Sequence, residues 1–264
     1  MKPTSIIFLI LSVILIVGGA ITCTVANAVA KGDGIPMFSQ VENEDGNLVY
    51  VCEYSTDDIE RLSLTVNNAT VNVTESIDSK IELVNFTEGS YSRGVSSKSY
   101  IIDDNFNLSQ LFIFDKGGFS FNGLRQYLRG FSFKKRVKTV NVSLSPENLK
   151  VLSITVKNGT VNINDMSMEG DINLSVTNGT VNLKNIYTTS YVKITGDKCV
   201  ADIDDGYIKN LNCDIKSGEV KANTLTSSNI KAELETGSIS LGLKSDPAEY
   251  LISAQTAKGK ITAN

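Results

Sequence analysis

Histidine and tryptophan are both absent from the 264-residue chain. The lack of histidine excludes Ser-His-Asp and Cys-His catalysis, histidine-ligated zinc or haem, and a pH switch built on imidazole. Charge of one sign is not in excess: 25 Lys and Arg residues face 29 Asp and Glu residues, for a net charge of −4. That balance gives no sign of a nucleic-acid-binding protein. No motif for carboxylate, lysine or serine catalysis is present, so we expect neither an enzyme nor a cofactor.

Charge is also missing from the N-terminus, where no charged residue occurs between Lys2 and Lys31. A helix over this stretch would be roughly 40 Å long, enough to cross a bilayer core of about 30 Å. We predict one transmembrane helix in residues 1–30, single-pass in the cell membrane, with the bulk of the chain extracytoplasmic. The small-x-small segments at 26–28 and 28–30 leave a cleaved signal segment open as the alternative.

The second half of the chain is dominated by an internal repeat with a period of 18 to 22 residues. Each unit has alternating apolar residues, a four-residue polar turn and a second alternating pair, so that apolar residues recur five apart across the turn. The pairs are Val156/Val161, Val176/Val181, Ile194/Cys199, Ile215/Val220, Leu234/Ile239 and Thr256/Ile261. The turns carry Gly159, Gly179, Gly196, Gly218, Gly237 and Gly259, where glycine permits a positive φ and a tight reversal.

Two architectures fit this repeat. In an antiparallel meander each Asn-Gly would be a hairpin turn. In a β-solenoid each unit is one coil whose strands stack in parallel on the next coil. The recurrence of one turn at one phase favours the solenoid, and we predict an all-β fold: a right-handed β-helix with coils of about 20 residues.

A weaker copy of the unit, LSLTVNNATVNV, lies far upstream, so the strand architecture begins near residue 60. We predict a stalk and first strand in residues 31–57 and the solenoid in residues 58–264. IELVNF, SYIID and LFIFD are predicted as further short strands, and residues 116–138 as a basic aromatic insertion. Asparagines on outward strand positions are expected to form hydrogen-bonded ladders between coils.

These segments resemble a known family. The N-terminal apolar stretch, LSLTVNNATVNV and VKTVNVSLSPENLKVLSITVKNGTVNI, with its turn at Pro146, are similar to the bacterial "putative adhesin" class of domains of unknown function. The resemblance covers residues 58–264. It implies a membrane-anchored or exported β-helix protein, found near envelope-stress genes in some members. It brings no catalytic residues.

The cysteines and one acidic segment are the candidates for a disulfide or a metal site. Cys199 and Cys213 fall on inward positions and are predicted as buried free thiols, with a disulfide between them left open by the exported location. Zinc is not expected, because there is no CxxC and no histidine. The DIDDG segment at 202–206 hints at calcium but lacks the spacing of a calcium loop, so we interpret it as a solvated turn.

The insertion supplies the candidate site. No acid occurs from Lys116 to Pro146, while six bases cluster among aromatic residues. Such an element fits an anionic lipid or wall polymer, or alternatively caps the open end of the solenoid. The bases are Arg125, Arg129, Lys134, Lys135, Arg136 and Lys138.

The sequence therefore predicts a non-enzymatic scaffold of the cell envelope that acts in adhesion, assembly or envelope-stress signalling. Its expected partners are the membrane, an anionic envelope polymer or lipid, and a protein or second copy at the open solenoid end, but no nucleic acid. A carbohydrate-active β-helix enzyme is the main alternative, and carboxylates clustered beside a groove would favour it. Asp171, Asp202 and Glu219 occupy scattered phases instead. A passive spacer is the third reading.

Overall fold

The computed structural model describes residues 39–42, 48–53, 59–86, 92–96, 99–103, 113–115, 118–120, 137–244 and 249–263. These residues form β-strands and no α-helix. A search of the same ranges for a helix of membrane-spanning length and hydropathy finds none. The predicted membrane segment at 1–30 lies outside the described residues.

Within these ranges the strands, in chain order, have the following bounds: β1 Ser39–Glu42, β2 Leu48–Glu53, β3 Arg61–Glu75, β4 Lys80–Val84, β5 Ser92–Ser96, β6 Ser99–Asp103, β7 Ile113–Asp115, β8 Gly118–Ser120, β9 Lys138–Leu144, β10 Val151–Met168, β11 Asp171–Thr226, β12 Asn229–Leu243 and β13 Leu251–Ala263. The predicted strands in LVYVCEY, IELVNF, SYIID and LFIFD correspond to β2, β4, β6 and β7.

The coils stack on one another as parallel strands. β10 pairs with β3 on one edge and β11 on the other, so that Val151 lies between Arg61 and Asp171. β11 winds through successive coils, and β12 and β13 follow in parallel. Paired residues are 20 apart between β10 and β11, 19 apart between β11 and β12, and 22 apart between β12 and β13. This arrangement confirms the solenoid and excludes the meander; the right-handed winding stays a prediction.

The upstream copy of the repeat is the neighbour of the first regular coil. Val66 in β3 pairs with Val156 in β10, although the two residues are 90 positions apart in sequence. The described segments between them do not separate the two strands, because β6 and β9 pair with the opposite edge of β3. The prediction that the upstream copy belongs to the repeat architecture is confirmed.

Strands outside the repeat cover the other edge of β3. Its first part, Arg61–Thr65, pairs with β6, and its second part, Ala69–Glu75, pairs with β9. Beyond β9 the sheet continues through antiparallel β4, β2 and β1. β7 and β8 form a separate two-stranded antiparallel sheet. The N-terminal end of the coil stack is thus closed by the chain itself.

Alternation places one apolar row inside each coil. Leu152, Ile154 and Val156 are fully buried, and across the corner so are Val161 and Ile163. The equivalent residues of the neighbouring coils lie directly above and below them, which gives one continuous core along the stack. This alternation fixes the register of the strands, because a shift by one residue would turn the whole apolar row towards solvent.

Glycines stack at the corner between these two apolar rows. Gly159 and Gly179 both have a φ of 151°, and a Cβ added to Gly179 would lie 1.8 Å from the carbonyl oxygen of Gly159. Only glycine fits such a conformation and such a close approach. The predicted positive φ is confirmed here, but the chain turns a corner without reversing, because the strands on both sides remain parallel to those of the next coil.

The coil that begins at Tyr191 departs from the predicted turn. Gly196 lies over Val176, so it occupies an inward position of the coil. Cys199 occupies the corner, between Gly179 and Gly218 in the glycine stack. The predicted pair Ile194/Cys199 is therefore wrong by two residues, and Gly196 is not the corner glycine. The physical reason is that the Cys199 side chain turns inward and fills the space that Gly196 leaves empty.

Candidate functional site

The most regular outer surface is built from one tripeptide. Thr-Val-Asn stands at the same position of four neighbouring strands, at 70–72, 139–141, 160–162 and 180–182, which lie side by side in the order β9, β3, β10, β11. Each valine is buried, which turns the threonine and asparagine outward. We call these outward residues the Thr-Asn face.

The asparagines of the Thr-Asn face form a hydrogen-bonded ladder, as predicted. Asn72 donates from Nδ2 to Asn141 Oδ1 over 2.9 Å, Asn162 to Asn72 over 2.8 Å, and Asn182 to Asn162 over 2.7 Å. A parallel ladder joins Asn178, Asn158 and Asn68. All these bonds run the same way along the stack, so the side-chain dipoles are aligned.

A carboxylate stands at each end of the main ladder. At one end Glu82 accepts a hydrogen bond from Asn141 Nδ2, and an ion pair with Lys80 at 2.6 Å lowers the pKa of Glu82 against the opposing effect of burial. At the other end the 20-residue offset sets Asp202 over Asn182, and Asp202 Oδ1 is buried without a hydrogen-bond partner among the described residues. The amides therefore satisfy one carboxylate and not the other.

A shallow cleft of about 660 Å³ opens where β3 leaves the coil stack. It is lined by Glu75, Glu147 and Glu169 together with serines, Ile77 and Pro146. Glu75 is already engaged, because its Oε2 accepts a hydrogen bond of 2.8 Å from the Ser167 amide. Glu147 and Glu169 are exposed to solvent. The acids of this cleft bear on the carbohydrate-enzyme alternative.

Cys199 and Cys213 are buried free thiols, as predicted. Cys52 is buried as well. Burial raises the pKa of Cys199 to about 11, and burial together with the nearby Cys199 raises the pKa of Cys213 to about 12. Thiols with such values are protonated and unreactive near neutral pH.

The DIDDG segment forms a corner. Asp205 has a φ of 56° and stacks in a row of left-handed residues with Asp165 and Asn185. Its Oδ1 accepts a hydrogen bond of 2.8 Å from the Gly206 amide. Among the described residues no group of three or more Cys, Asp or Glu is arranged to hold a metal ion. The geometry is that of a structural turn.

Of the six predicted contact bases, Lys138 alone is among the described residues. It opens β9, and its Nζ lies 4.9 Å from the centre of the Phe86 ring. Phe86 is buried, so this cation–π contact ties the end of the insertion to the core. Arg125, Arg129, Lys134, Lys135 and Arg136 lie outside the described residues, and the shared surface predicted for the six stays a prediction.

The last described coil is less covered than those before it. β13 pairs with β12 on one edge, and no described strand lies on its other edge. Ile261 is 42% exposed, whereas its paired residue Ile239 is 1% exposed. Thr256 points inward at the position of Leu234, and its Oγ1 is buried without a hydrogen-bond partner in this part of the chain.

Comparison with protein families identifies this architecture. A family model described as Toastrack DUF4097 matches residues 59–264. The chain belongs to the Toastrack family. Its matched region begins just before β3 and runs through the whole coil stack, so the coils with their glycine corners are the Toastrack domain of this chain. The resemblance noted from the repeat units is thereby confirmed.

Three solved structures are similar to the Toastrack domain at low identity. A "putative adhesin" from Bacteroides fragilis is 15% identical with a TM-score of 0.45, and covers 82% of this chain and 97% of its own. A "putative cell adhesion protein" from Clostridium sporogenes is 12% identical with a TM-score of 0.37, covering 83% and 100%. A "putative lipid binding protein" from Parabacteroides distasonis is 13% identical with a TM-score of 0.26, covering 82% and 96%. No curated protein matches the chain.

Proposed function

We propose that this Toastrack protein is a non-enzymatic scaffold of the cell envelope, anchored by residues 1–30 with its solenoid outside the cytoplasm, and that it acts in adhesion, assembly or envelope-stress signalling. The observation that carries the proposal is the Thr-Asn face. Its amides bond to one another from coil to coil, which makes a rigid outer surface whose polar groups maintain the structure.

The basic insertion is the proposed contact with the envelope. Arg125, Arg129, Lys134, Lys135, Arg136 and Lys138 supply positive charge for an anionic lipid or wall polymer. Lys138 supports this role because it fixes one end of the insertion against Phe86, close to β4 and β9. The exposed inner row of β13 supports a second proposed contact, with a protein or another copy of this chain.

Location is tested with a surface cysteine. Lys184 is exposed on β11, whereas Cys52, Cys199 and Cys213 are buried and give little background; the fourth cysteine, Cys23, is replaced by serine in all the chains compared. We expect a membrane-impermeant maleimide to label K184C in intact cells and to leave the chain without this substitution largely unlabelled. Labelling of K184C only after lysis would contradict the extracytoplasmic location.

The envelope contact is tested with the full chain in detergent, presented to vesicles of anionic or neutral lipid and to isolated cell wall. The wild type should bind anionic surfaces less strongly as the salt concentration rises. Changing the six bases to glutamine should abolish this binding. A matched control neutralises six exposed lysines of the solenoid and should retain it. The control residues are Lys157, Lys184, Lys198, Lys221, Lys258 and Lys260. Equal loss in both variants would assign the binding to net charge alone.

The cleft gives the carbohydrate-enzyme alternative its one supporting observation. A glycosidase needs a general acid tuned by a dry pocket beside a second carboxylate. Glu147 and Glu169 are exposed instead, which favours the scaffold. Release of reducing sugar from wall polysaccharide that is lost in E147Q or E169Q would establish the enzyme, and a chain that binds no envelope component would favour the passive spacer.

A further inference from the structure

Two exposed tyrosines and a half-buried third lie on one corner of the solenoid. In the coils between residues 137 and 244, the large apolar side chains with high exposure are those of Val137, Tyr187, Tyr191 and Val200. Tyr187 is 45% exposed and Tyr191 57% exposed, on either side of one turn. Gly206 lies directly against Ile186, so Tyr207 stands one rung from Tyr187, about 4.8 Å along the stack. We call Tyr187, Tyr191 and Tyr207 the tyrosine corner.

The turn that carries Tyr187 and Tyr191 is held rigidly. Thr188 is 2% exposed; its hydroxyl donates to the Gly170 carbonyl and accepts from the Ser190 amide at 3.1 Å. Asp171 accepts from the Ser190 hydroxyl and, at 3.3 Å, from the Tyr191 amide. A surface fixed before binding loses little conformational entropy when a ligand arrives.

The surroundings of the rings are polar. Thr189, Lys193 and Lys209 are exposed beside them, and Asn210 is bonded to the Ser190 carbonyl. A protein partner would require an interface of about 1,000 Å² or more whose core is depleted of charge, whereas Lys193 and Lys209 lie exposed beside these rings. A corner of phenol rings surrounded by hydroxyl, amide and ammonium groups instead suits a ligand with C–H faces and a hydroxyl rim.

We propose that the tyrosine corner is a binding site for an extended β-linked glycan. Sugar rings pack their C–H faces on Tyr187, Tyr191 and Tyr207, and their hydroxyls bond to Thr189 and Lys209. The rung spacing that separates Tyr187 from Tyr207 is close to the length of one pyranose ring, so successive rings meet successive aromatic contacts. This site lies on the coils and is independent of the basic insertion.

The test measures binding of the full chain in detergent to chitin beads, to soluble chitohexaose by calorimetry, and to purified peptidoglycan. We expect Y187A/Y191A to weaken chitohexaose binding at least about tenfold, the factor that corresponds to 1.4 kcal/mol. Y187F/Y191F should bind as the wild type does, because the rings remain. V200A removes an exposed apolar residue from another side of the coil and should change nothing.

The outcomes separate this site from the basic insertion. Glycan binding that survives neutralisation of the six bases, and anionic-vesicle binding that survives Y187A/Y191A, support two distinct sites. Equal binding by Y187A/Y191A and the wild type, or no binding of either glycan by the wild type, would overturn the proposal. Retention on peptidoglycan but not on chitin or chitohexaose would assign the corner to the peptide and overturn it too.

Discussion

Gly196 stands where the neighbouring coils have a large apolar residue, and Cys199 stands where they have a glycine. A Cβ on Gly196 would lie 2.5 Å from the Cβ of Cys199, and Cys199 occupies the corner that Gly179 and Gly218 occupy next to it. Gly196 in turn stands where Val176 stands in the preceding coil. The coil keeps its packing because the missing side chain and the extra side chain share one space.

The exchange predicts a compensating pair of substitutions. G196V should destabilise the chain by about 2–3 kcal/mol, because the new side chain overlaps Cys199 and the Val176 carbonyl. G196V/C199G restores the pattern of the adjacent coils and should recover most of that loss. The measurement is a double-mutant cycle from thermal or urea unfolding; additive effects would show that the two sites are independent.

The glycine stack predicts a position where even a methyl group is not tolerated. In G179A the new Cβ would meet the Gly159 carbonyl oxygen at 1.8 Å, at a φ of 151° that alanine avoids. We expect a loss of about 2–4 kcal/mol in the free energy of unfolding. G242A is the matched control, since its nearest contact is the Ala222 oxygen at 3.1 Å, and its cost should be clearly smaller. Similar midpoints in urea for the two variants would contradict the stack.

The asparagine ladder predicts that removing an asparagine from within the ladder lowers the free energy of unfolding more than removing an outward asparagine outside it. N162A leaves Asn72 Oδ1 without its donor and Asn182 Nδ2 without its acceptor. The expected cost is about 1–2 kcal/mol, measured by urea unfolding. N212A removes an outward asparagine for which the described residues provide no side-chain hydrogen bond, and it should cost less than about 0.5 kcal/mol. A reversal of this order would show that the ladder does not stabilise the stack.

The buried thiols predict a loss of stability at alkaline pH. Folding raises the pKa of Cys213 from 9.0 to about 12 and that of Cys199 to about 11, so the unfolded chain loses these protons first. Their contribution is therefore complete below pH 9 and falls as pH rises from 9 towards 12, by up to about 1.4 kcal/mol per pH unit for Cys213.

C199A/C213A isolates this effect from the titration of lysines and tyrosines. The difference in unfolding free energy between the wild type and this variant should be constant below pH 9 and change in favour of the variant above it. Parallel pH profiles for the two proteins would exclude the thiols as the cause.

The sequence was sufficient for the features that repeat locally. The five-residue spacing of Val156 and Val161 fixes which side chains face inward, and the copy around Val66 could be recognised because it follows the same rule. The mistake at Ile194 and Cys199 has a physical origin: the spacing rule is satisfied by two registers, and only the packing against Val176 and Gly179 selects one.

The pairing of the strands outside the repeat could not be predicted in full from the sequence. The pairing of β9 with both β3 and β4 joins segments far apart in sequence. The Thr-Val-Asn at 139–141 is a local signal for β3, but no local pattern in Lys138–Leu144 specifies β4. The tyrosine corner was missed because each tyrosine is unremarkable by itself. Aligning Tyr187 with Tyr207 at the 20-residue period would have been a usable signal.

Because the coils stack in continuous register, the number of coils determines the height of the stack. Each coil adds about 4.8 Å along the stack, so duplication or deletion of one 20-residue unit would move everything above it by one fixed step. Residues 99–103 and 138–144 show a second kind of change, since β6 and β9 pair in parallel with the free edge of β3 while Val66 and Val156 stay paired. The stack can therefore be extended on both edges of β3, by later coils on one edge and by returning segments on the other, without a change in the register of the coils already formed.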